Sequence, residues 1–463
     1  MNKAPPVACP LPWRDVDGVL AAWGHQPWLA CLDSGGEVGP RARWVIVCRE
    51  PVHVIVQHAG RCWLDGAVTS HDLATQLRLC VPAGDCPVEV PFAGGAIGFI
   101  GYGVGQRMEG VSTRHEGEAG EPEAAFGIYD HAFVLDRERK EAWLAASDPT
   151  TMPAGRVTDL RQQWDAIAPA GDMPALPHLD FVADQDGAAY RASVARTVER
   201  IAAGEVFQVN ITGRMRTDRP AGLAAIDVYR TLRAGSPAPF GAFLGGDGTC
   251  ALLSASPERF LSLDAERTIR TRPIKGTAPR GLTPAEDERL ARHLRHDAKE
   301  RAENLMIVDL MRNDIGRVAA LGSVGVPELF GVERFTHVHH LVSEVTGQLR
   351  GGCDAFDLLD ATLPPGSVTG APKHQAMQII DELEASARGA YCGAVVWIGC
   401  DGAMDSSVII RSLVMTRNHI IAAAGGGITY DSDPMREYRE MQLKIAALLG
   451  IFSTRPDEGD PAS

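Results

Sequence analysis

Short β-branched runs alternate along this chain with longer stretches in which apolar residues recur every three or four positions. WVIVCREPVHVIV (44–56) is of the first kind and reads as strand. GAVVWIG, SSVIIRSLVM and HIIAAAGGG, further on, read as buried strands. From about residue 187, Tyr190, Val194, Val198 and Ile201 share one helical face, and Gly204 is the stop. Thr283-Pro284-Ala285-Glu286 is a capping-box signature with proline at the first helical position. The helical pattern then continues to about Met311. Its first half is charged and its second, NLMIVDLM, is apolar, which puts Glu303 where the helix passes from solvent into the core. MREYREMQLKIAALLGIF reads as a final amphipathic helix. The glycine-rich PFAGGAIGFIGYGVG (91–105) does not match a G-x-G-x-x-G loop leading into a helix, and reads as tight turns between strands. Helices and strands interleave without a βαβ rhythm, which predicts an α+β fold.

The proline-rich AIAPAGDMPALPHLD (166–180) is the best linker candidate. It divides a strand-rich accessory domain (1–165) from a larger domain (181–452), with a flexible tail at 453–463. The 463 residues carry a formal net charge of -14, a surface that repels nucleic acid and anionic membrane. The N-terminal stretch lacks a signal-peptide pattern, and no run of about 18 apolar residues marks a membrane span. The ten cysteines form no CxxC pair and read as reduced, so a cytoplasmic protein is expected.

Three groups of residues could carry chemistry. Lys275, in TRPIKGTAPRG, is flanked by Pro273-Ile274 and by Gly276-Thr277. It is either a strand-end lysine reaching solvent or a nucleophile tuned by an apolar wall and by Arg272 and Arg280. Glu258, Glu303, Glu437 and Glu440 are either solvated acids or a magnesium site, since magnesium takes oxygen ligands from one or two carboxylates and keeps part of its water. Gly425-Gly426-Gly427 is either a turn or an anion receptor offering backbone N–H groups, with Arg411 as a clamp and Lys444 one helical turn after Glu440.

Taken together, RPIKGTAPRG, KERAENLMIVDLMRNDIGRV, VHHLVSEVTGQL, GSVTGAPKHQAMQIIDELE, YCGAVVW, IIRSL, AGGGI and the EYRE helix resemble the chorismate-utilising enzymes over nearly the whole chain. The resemblance implies an α+β fold of the anthranilate synthase component I type, two packed antiparallel β-sheets with surrounding helices. It also implies a chorismate-binding catalytic domain at 181–452. Members that make anthranilate or isochorismate carry alanine where Lys275 stands. The lysine therefore implies amination at C4, through attack of Lys275 on C2 while the 4-hydroxyl leaves. By the same resemblance Glu258 is the acid, and Glu303, Glu440 and Glu437 hold Mg2+. Thr277, His340, Thr369, Tyr391, Arg411, Gly425, Gly426, Gly427 and Lys444 contact substrate.

The N-terminal part resembles the family's tryptophan pocket through Leu32-Asp33-Ser34, Arg41-Ala42-Arg43-Trp44 and Pro239-Phe240-Gly241, with Cys31 departing from the usual leucine. No G-x-C-x-G nucleophile elbow appears, so ammonia is expected from a separate glutamine amidotransferase subunit or from solution. The alternatives are an anthranilate-forming large subunit and a non-catalytic, tryptophan-sensing paralogue.

Overall fold

The computed structural model describes residues 6–453 except 40, 149, 151 and 335–337; apart from Ser453, the predicted tail lies outside the described residues. Two twelve-stranded sheets, antiparallel throughout the described residues, are surrounded by helices. One sheet runs from Val7–Leu11 through Glu141–Ala146, Ala132–Asp136, Trp44–Cys48, Ala30–Asp33, Phe240–Leu244, Ala251–Ser256, Ser412–Met415, His419–Ile428 and Gln208–Asp218 to Val182–Ala183. The other runs from Ile274–Pro279 through Val338–Gln348, Thr268–Thr271, Arg259–Leu263, Met404–Val408, Ala394–Gly399, Gly95–Ile100, Ala124–Tyr129, His53–His58 and Arg61–Leu64 to Ala67–Val68. Each sheet takes strands from both sides of 166–180. That segment has no regular structure, yet Ile167 and Leu176 are buried in the core.

Side-chain alternation explains why the strands read as continuous apolar runs. Phe133 and Leu135 pack outward against Trp23, Trp164 and other helical residues, while Ala132 and Val134 face the second sheet. In Gly95–Ile100, Ala96 and Ile100 face the helical side and Ile97 and Phe99 face the first sheet. Both faces of these strands are thus covered, and neither can carry a polar stripe.

Two local expectations are corrected. PFAGGAIGFIGYGVG is a buried strand, Gly95–Ile100, followed by a short helix, Tyr102–Met108, and not a series of turns. A Cβ at Gly98 would lie 2.0 Å from the Ala125 carbonyl oxygen, and one at Gly95 would lie 2.1 Å from that of Ile398. The glycines let two neighbouring strands close on this one. The long helix is two helices, Pro284–His296 and Ala298–Gly316, broken at Asp297. Asp297 has extended backbone, and its carboxylate accepts the Glu300 N–H at 3.0 Å. A strong N-cap thus restarts the helix. The predicted box at Thr283 is half formed: Thr283 accepts the Glu286 N–H, but Glu286 accepts from Leu282 and not from Thr283. The helices Gly187–Ala202 and Pro434–Leu449 form where the periodicity places them, capped by Asp186 and Asp433.

Candidate active site

Lys275 lies on the edge strand Ile274–Pro279, which pairs with Val338–Gln348. The register slips between Ile274 and Thr277, so Lys275 and Gly276 occupy a bulge, a device that re-aims a side chain. Gly276 has φ +87°, and a Cβ there would meet Glu300 Oε2 at 2.9 Å and Leu294 Cδ1 at 3.1 Å. The positive φ and the helices packed behind the strand both favour glycine at this position. Beyond the bulge, Thr277 is opposite His340, with Thr277 Oγ1 and His340 Nδ1 3.0 Å apart. Burial lowers the pKa of His340, and the Arg41 charge adds to this against a hydrogen bond that the ring makes to the Gly276 backbone.

Glu258 follows the strand Ala251–Ser256, and Ser256 Oγ holds its backbone. Burial raises the pKa of its carboxyl; a hydrogen bond with Ser367 and the Lys275 charge oppose the rise. An enclosed acid and a lysine thus act on one another across the same space. Ser367, inside the quoted GSVTGAPK, was not singled out from sequence, because nothing local says that its loop meets Glu258. That loop is pinned at Val368, whose carbonyl accepts from Arg388 Nη1 at 2.8 Å and Asn210 Nδ2 at 3.1 Å. Thr369 is buried, and its hydroxyl donates to backbone carbonyls of its own turn.

The triple glycine is not a loop. Gly425, Gly426 and Gly427 belong to the strand His419–Ile428 and pair with Thr212, Ile211 and Asn210. On the other side the ladder ends at Leu413–Ala422, so among the described residues the glycine stretch has no ladder partner on that edge. Across it lie the acids of the last helix. A Cβ on Gly426 would be 3.2 Å from Glu437 Oε2, 3.9 Å from Lys444 Nζ and 4.0 Å from Glu440 Oε1. Lys444 bonds Glu440 at 2.7 Å and the Gly425 carbonyl at 2.8 Å. Burial, then the nearby Glu440 charge, raise the pKa of Glu437. Glu303 sits 3.7 Å from Lys299, whose charge also reaches Glu437. Among the described residues no three His, Cys, Asp or Glu side chains converge closely enough to hold a metal. The donor set nevertheless suits magnesium: it is all oxygen, and two carboxylates converge over Gly426 where a cation relieves their repulsion.

Arg411 precedes the strand Ser412–Met415, is exposed and has φ +53°. Tyr391 is buried and lines a cavity with Thr212, Arg388 and Ala423. A separate cavity of about 120 Å³ between the sheets is lined by Leu32, Asp33, Ser34, Arg41, Arg43, Trp44, Pro239, Phe240 and Gly241. Ala42 is buried and is not part of the lining. Arg259 and Asp405, paired at 2.8 Å, complete the wall, and Arg259 also stacks on Phe240. Arg259 is adjacent in sequence to Glu258, but its place in this wall follows only from tertiary structure. Asp33 bonds Arg233 and interacts with the Tyr229 hydroxyl, while among the described residues its buried Oδ1 has no hydrogen-bond partner of good geometry.

Two packed antiparallel sheets thus carry a bulged lysine whose charge reaches a half-buried acid, and a carboxylate pair facing a glycine strand edge, groups that suit a small charged ligand. The chain belongs to the chorismate binding enzymes, whose family model matches residues 31–450. It is 39% identical over 454 residues to aminodeoxychorismate synthase component 1 of Klebsiella aerogenes, covering 96% of this chain and 98% of the relative. It is 40% identical over 398 residues to anthranilate synthase component 1 of Streptomyces coelicolor, covering 82% and 77%. The crystal structure of anthranilate synthase component I from Streptococcus pneumoniae superposes with a TM-score of 0.79 at 32% identity, covering 89% of this chain and 93% of that one. No helix among the described residues is long and apolar enough to cross a membrane.

Proposed function

We propose that this chain is the synthase component of an aminodeoxychorismate synthase, aminating chorismate at C4. Identity does not separate the two reactions, because relatives of both kinds lie at 39% and 40%. The observation that carries the reading is Lys275 in its bulge, close enough for its charge to act on the enclosed Glu258. In this reading Lys275 Nζ bonds to C2 of chorismate. The ring double bond migrates, and the 4-hydroxyl leaves as water with the proton of Glu258. Ammonia then bonds to C4, the double bond returns, and Lys275 departs as an amine. Glu258 suits the acid role because burial keeps its proton to a higher pH than an exposed glutamate would.

Glu303, Glu437 and Glu440 would hold Mg2+, which when bound neutralises the ring carboxylate. Arg411, Lys444 and the N–H groups of Gly425 to Gly427 serve the substrate's carboxylates. Thr277, His340, Thr369 and Tyr391 complete the binding surface. A glutamine amidotransferase supplies the ammonia. The cavity at Asp33 takes tryptophan: the buried Asp33 Oδ1 suits an α-ammonium, and Trp44, Phe240 and Pro239 suit an indole.

The direct test is product analysis after incubation with chorismate, magnesium and ammonium chloride. 4-Amino-4-deoxychorismate is the expected product, and anthranilate formed without any lyase sinks the reading.

A further inference from the structure

Two cavities meet at one carboxylate that the chemistry above does not use. Both are lined by Glu121, Glu384, Ser386, Ala387 and Arg388, so they are two chambers sharing one wall. The inner chamber ends on Thr212, Ala423 and Tyr391. Thr212 is the ladder partner of Gly425, and Tyr391, assigned above to the substrate-binding surface, lines the same chamber, so the chamber reaches the strand that carries the glycine edge.

Glu121 is seated in space that glycine provides. Gly389 has φ +60°, and a Cβ there would be 2.3 Å from Glu121 Oε1. That oxygen accepts the Ala390 N–H at 2.6 Å, whereas no hydrogen-bond donor among the described residues reaches Oε2. Glu121 keeps some accessible area because it faces the chambers, yet the protein packed about it desolvates the carboxyl and raises its pKa to about 7. Of the charges around it, Arg388 is bound by Glu384 at 2.6 Å, and Arg214 by Glu118, which also holds His419 at 2.7 Å. Asp184 faces the inner chamber; Arg107, His115, Glu118, Glu123 and Asp381 face the outer one. Arg107 is bound by Glu123 at 2.8 Å. The cations nearest Glu121 thus have carboxylates of their own, and among the described residues Glu121 has no ion pair.

We propose that these chambers are the route by which ammonium reaches the chorismate site, and that Glu121 takes its proton on the way. One N–H bond of ammonium breaks, the Glu121 carboxylate becomes the acid, and neutral ammonia moves inward. The acid then returns its proton to water in the outer chamber. A desolvated carboxylate without a cation selects a small cation, and losing the proton creates the nucleophile that the amination requires. The proposal rests on the amination reading.

The test is steady-state amination with ammonium chloride, comparing the unaltered chain with Glu121→Gln, which can still accept the Ala390 N–H. The expected result is a fall of about a hundredfold in kcat/KM for ammonium with KM for chorismate unchanged. The unaltered chain should also lose kcat/KM for ammonium as pH falls through about 7, a limb that Glu121→Gln should lack. If Glu121→Gln does not fold, Ala387→Leu, which narrows the shared wall, is read instead, and a raised KM for ammonium alone supports the route. Unchanged ammonium kinetics and pH profile in the folded variant overturn the route while leaving amination intact. Failure of the unaltered chain to incorporate any amine overturns both.

Discussion

Thr277 Oγ1 and His340 Nδ1 lie 3.0 Å apart across the bulge that carries Lys275. The contact ties the free edge strand to its neighbour by side chains just past the slipped register. Because burial lowers the pKa of His340, the ring is neutral at neutral pH and its protonation opposes folding. Unfolded histidine takes up a proton near pH 6.5, so this residue's contribution to stability is full above that pH and is lost as pH falls below it. His340→Gln should flatten the acid side of a stability–pH curve followed by thermal unfolding. It should also lower kcat/KM about tenfold, the scale of one hydrogen bond.

Glu258→Gln should separate activity from stability. Removing the acid should lower kcat by a factor of roughly 10²–10⁴ and abolish the alkaline limb of the pH profile. The folded pKa of Glu258 is above that of an unfolded glutamate, so its stabilising contribution exists only at acid pH and is lost as pH rises through the folded value. At neutral pH the variant should therefore unfold at a higher temperature than the parent. An active variant, or one with a lower unfolding temperature, contradicts the buried-acid assignment.

Gly276→Ala places a Cβ against Glu300 at a positive φ, which costs about 1–3 kcal/mol. Thermal unfolding should shift down and kcat should fall with it, because backbone relaxation from the positive φ shifts the bulge that carries Lys275. Full activity in a folded variant shows that the bulge tolerates displacement.

Magnesium dependence should respond in opposite directions to two kinds of change. Glu437→Gln and Glu303→Gln should each raise the magnesium requirement about tenfold or more. Lys299→Met removes the competing charge at Glu303 and should lower that requirement. Binding of Mn2+ followed by electron paramagnetic resonance gives the same order without relying on turnover. Identical binding in all three variants counts against these ligands.

Asp33→Asn should weaken tryptophan binding by about 2 kcal/mol, roughly 30-fold, in calorimetry, since a charged partner for the ammonium is lost. Undiminished affinity removes Asp33 from the pocket's chemistry.

Much of this arrangement is legible in the linear chain, for physical reasons. Strands covered on both faces leave uninterrupted apolar runs, so GAVVWIG and SSVIIRSLVM could be read without knowing their neighbours. The last helix sets Glu437, Glu440 and Lys444 on one face at a spacing that periodicity alone reveals. The glycines misled in both places where they sit within strands. A glycine run signals freedom of the backbone; Gly95 uses it, at φ +139°, whereas at Gly98 and Gly425 tertiary packing uses the missing Cβ. The break at Asp297 had a local signal: an aspartate with glutamate three residues on is a cap, but charged residues on both sides hid it. Ser367, Arg259 and Glu121 had no such signal, because each meets its partner across a long sequence separation.

The nucleophile itself is best tested by intact-protein mass spectrometry after exposure to chorismate and magnesium without ammonia. The expected result is a covalent adduct of chorismate less one water on Lys275, absent from Lys275→Ala and discharged by ammonium chloride. An unmodified protein that still makes the 4-amino product contradicts the covalent role of Lys275.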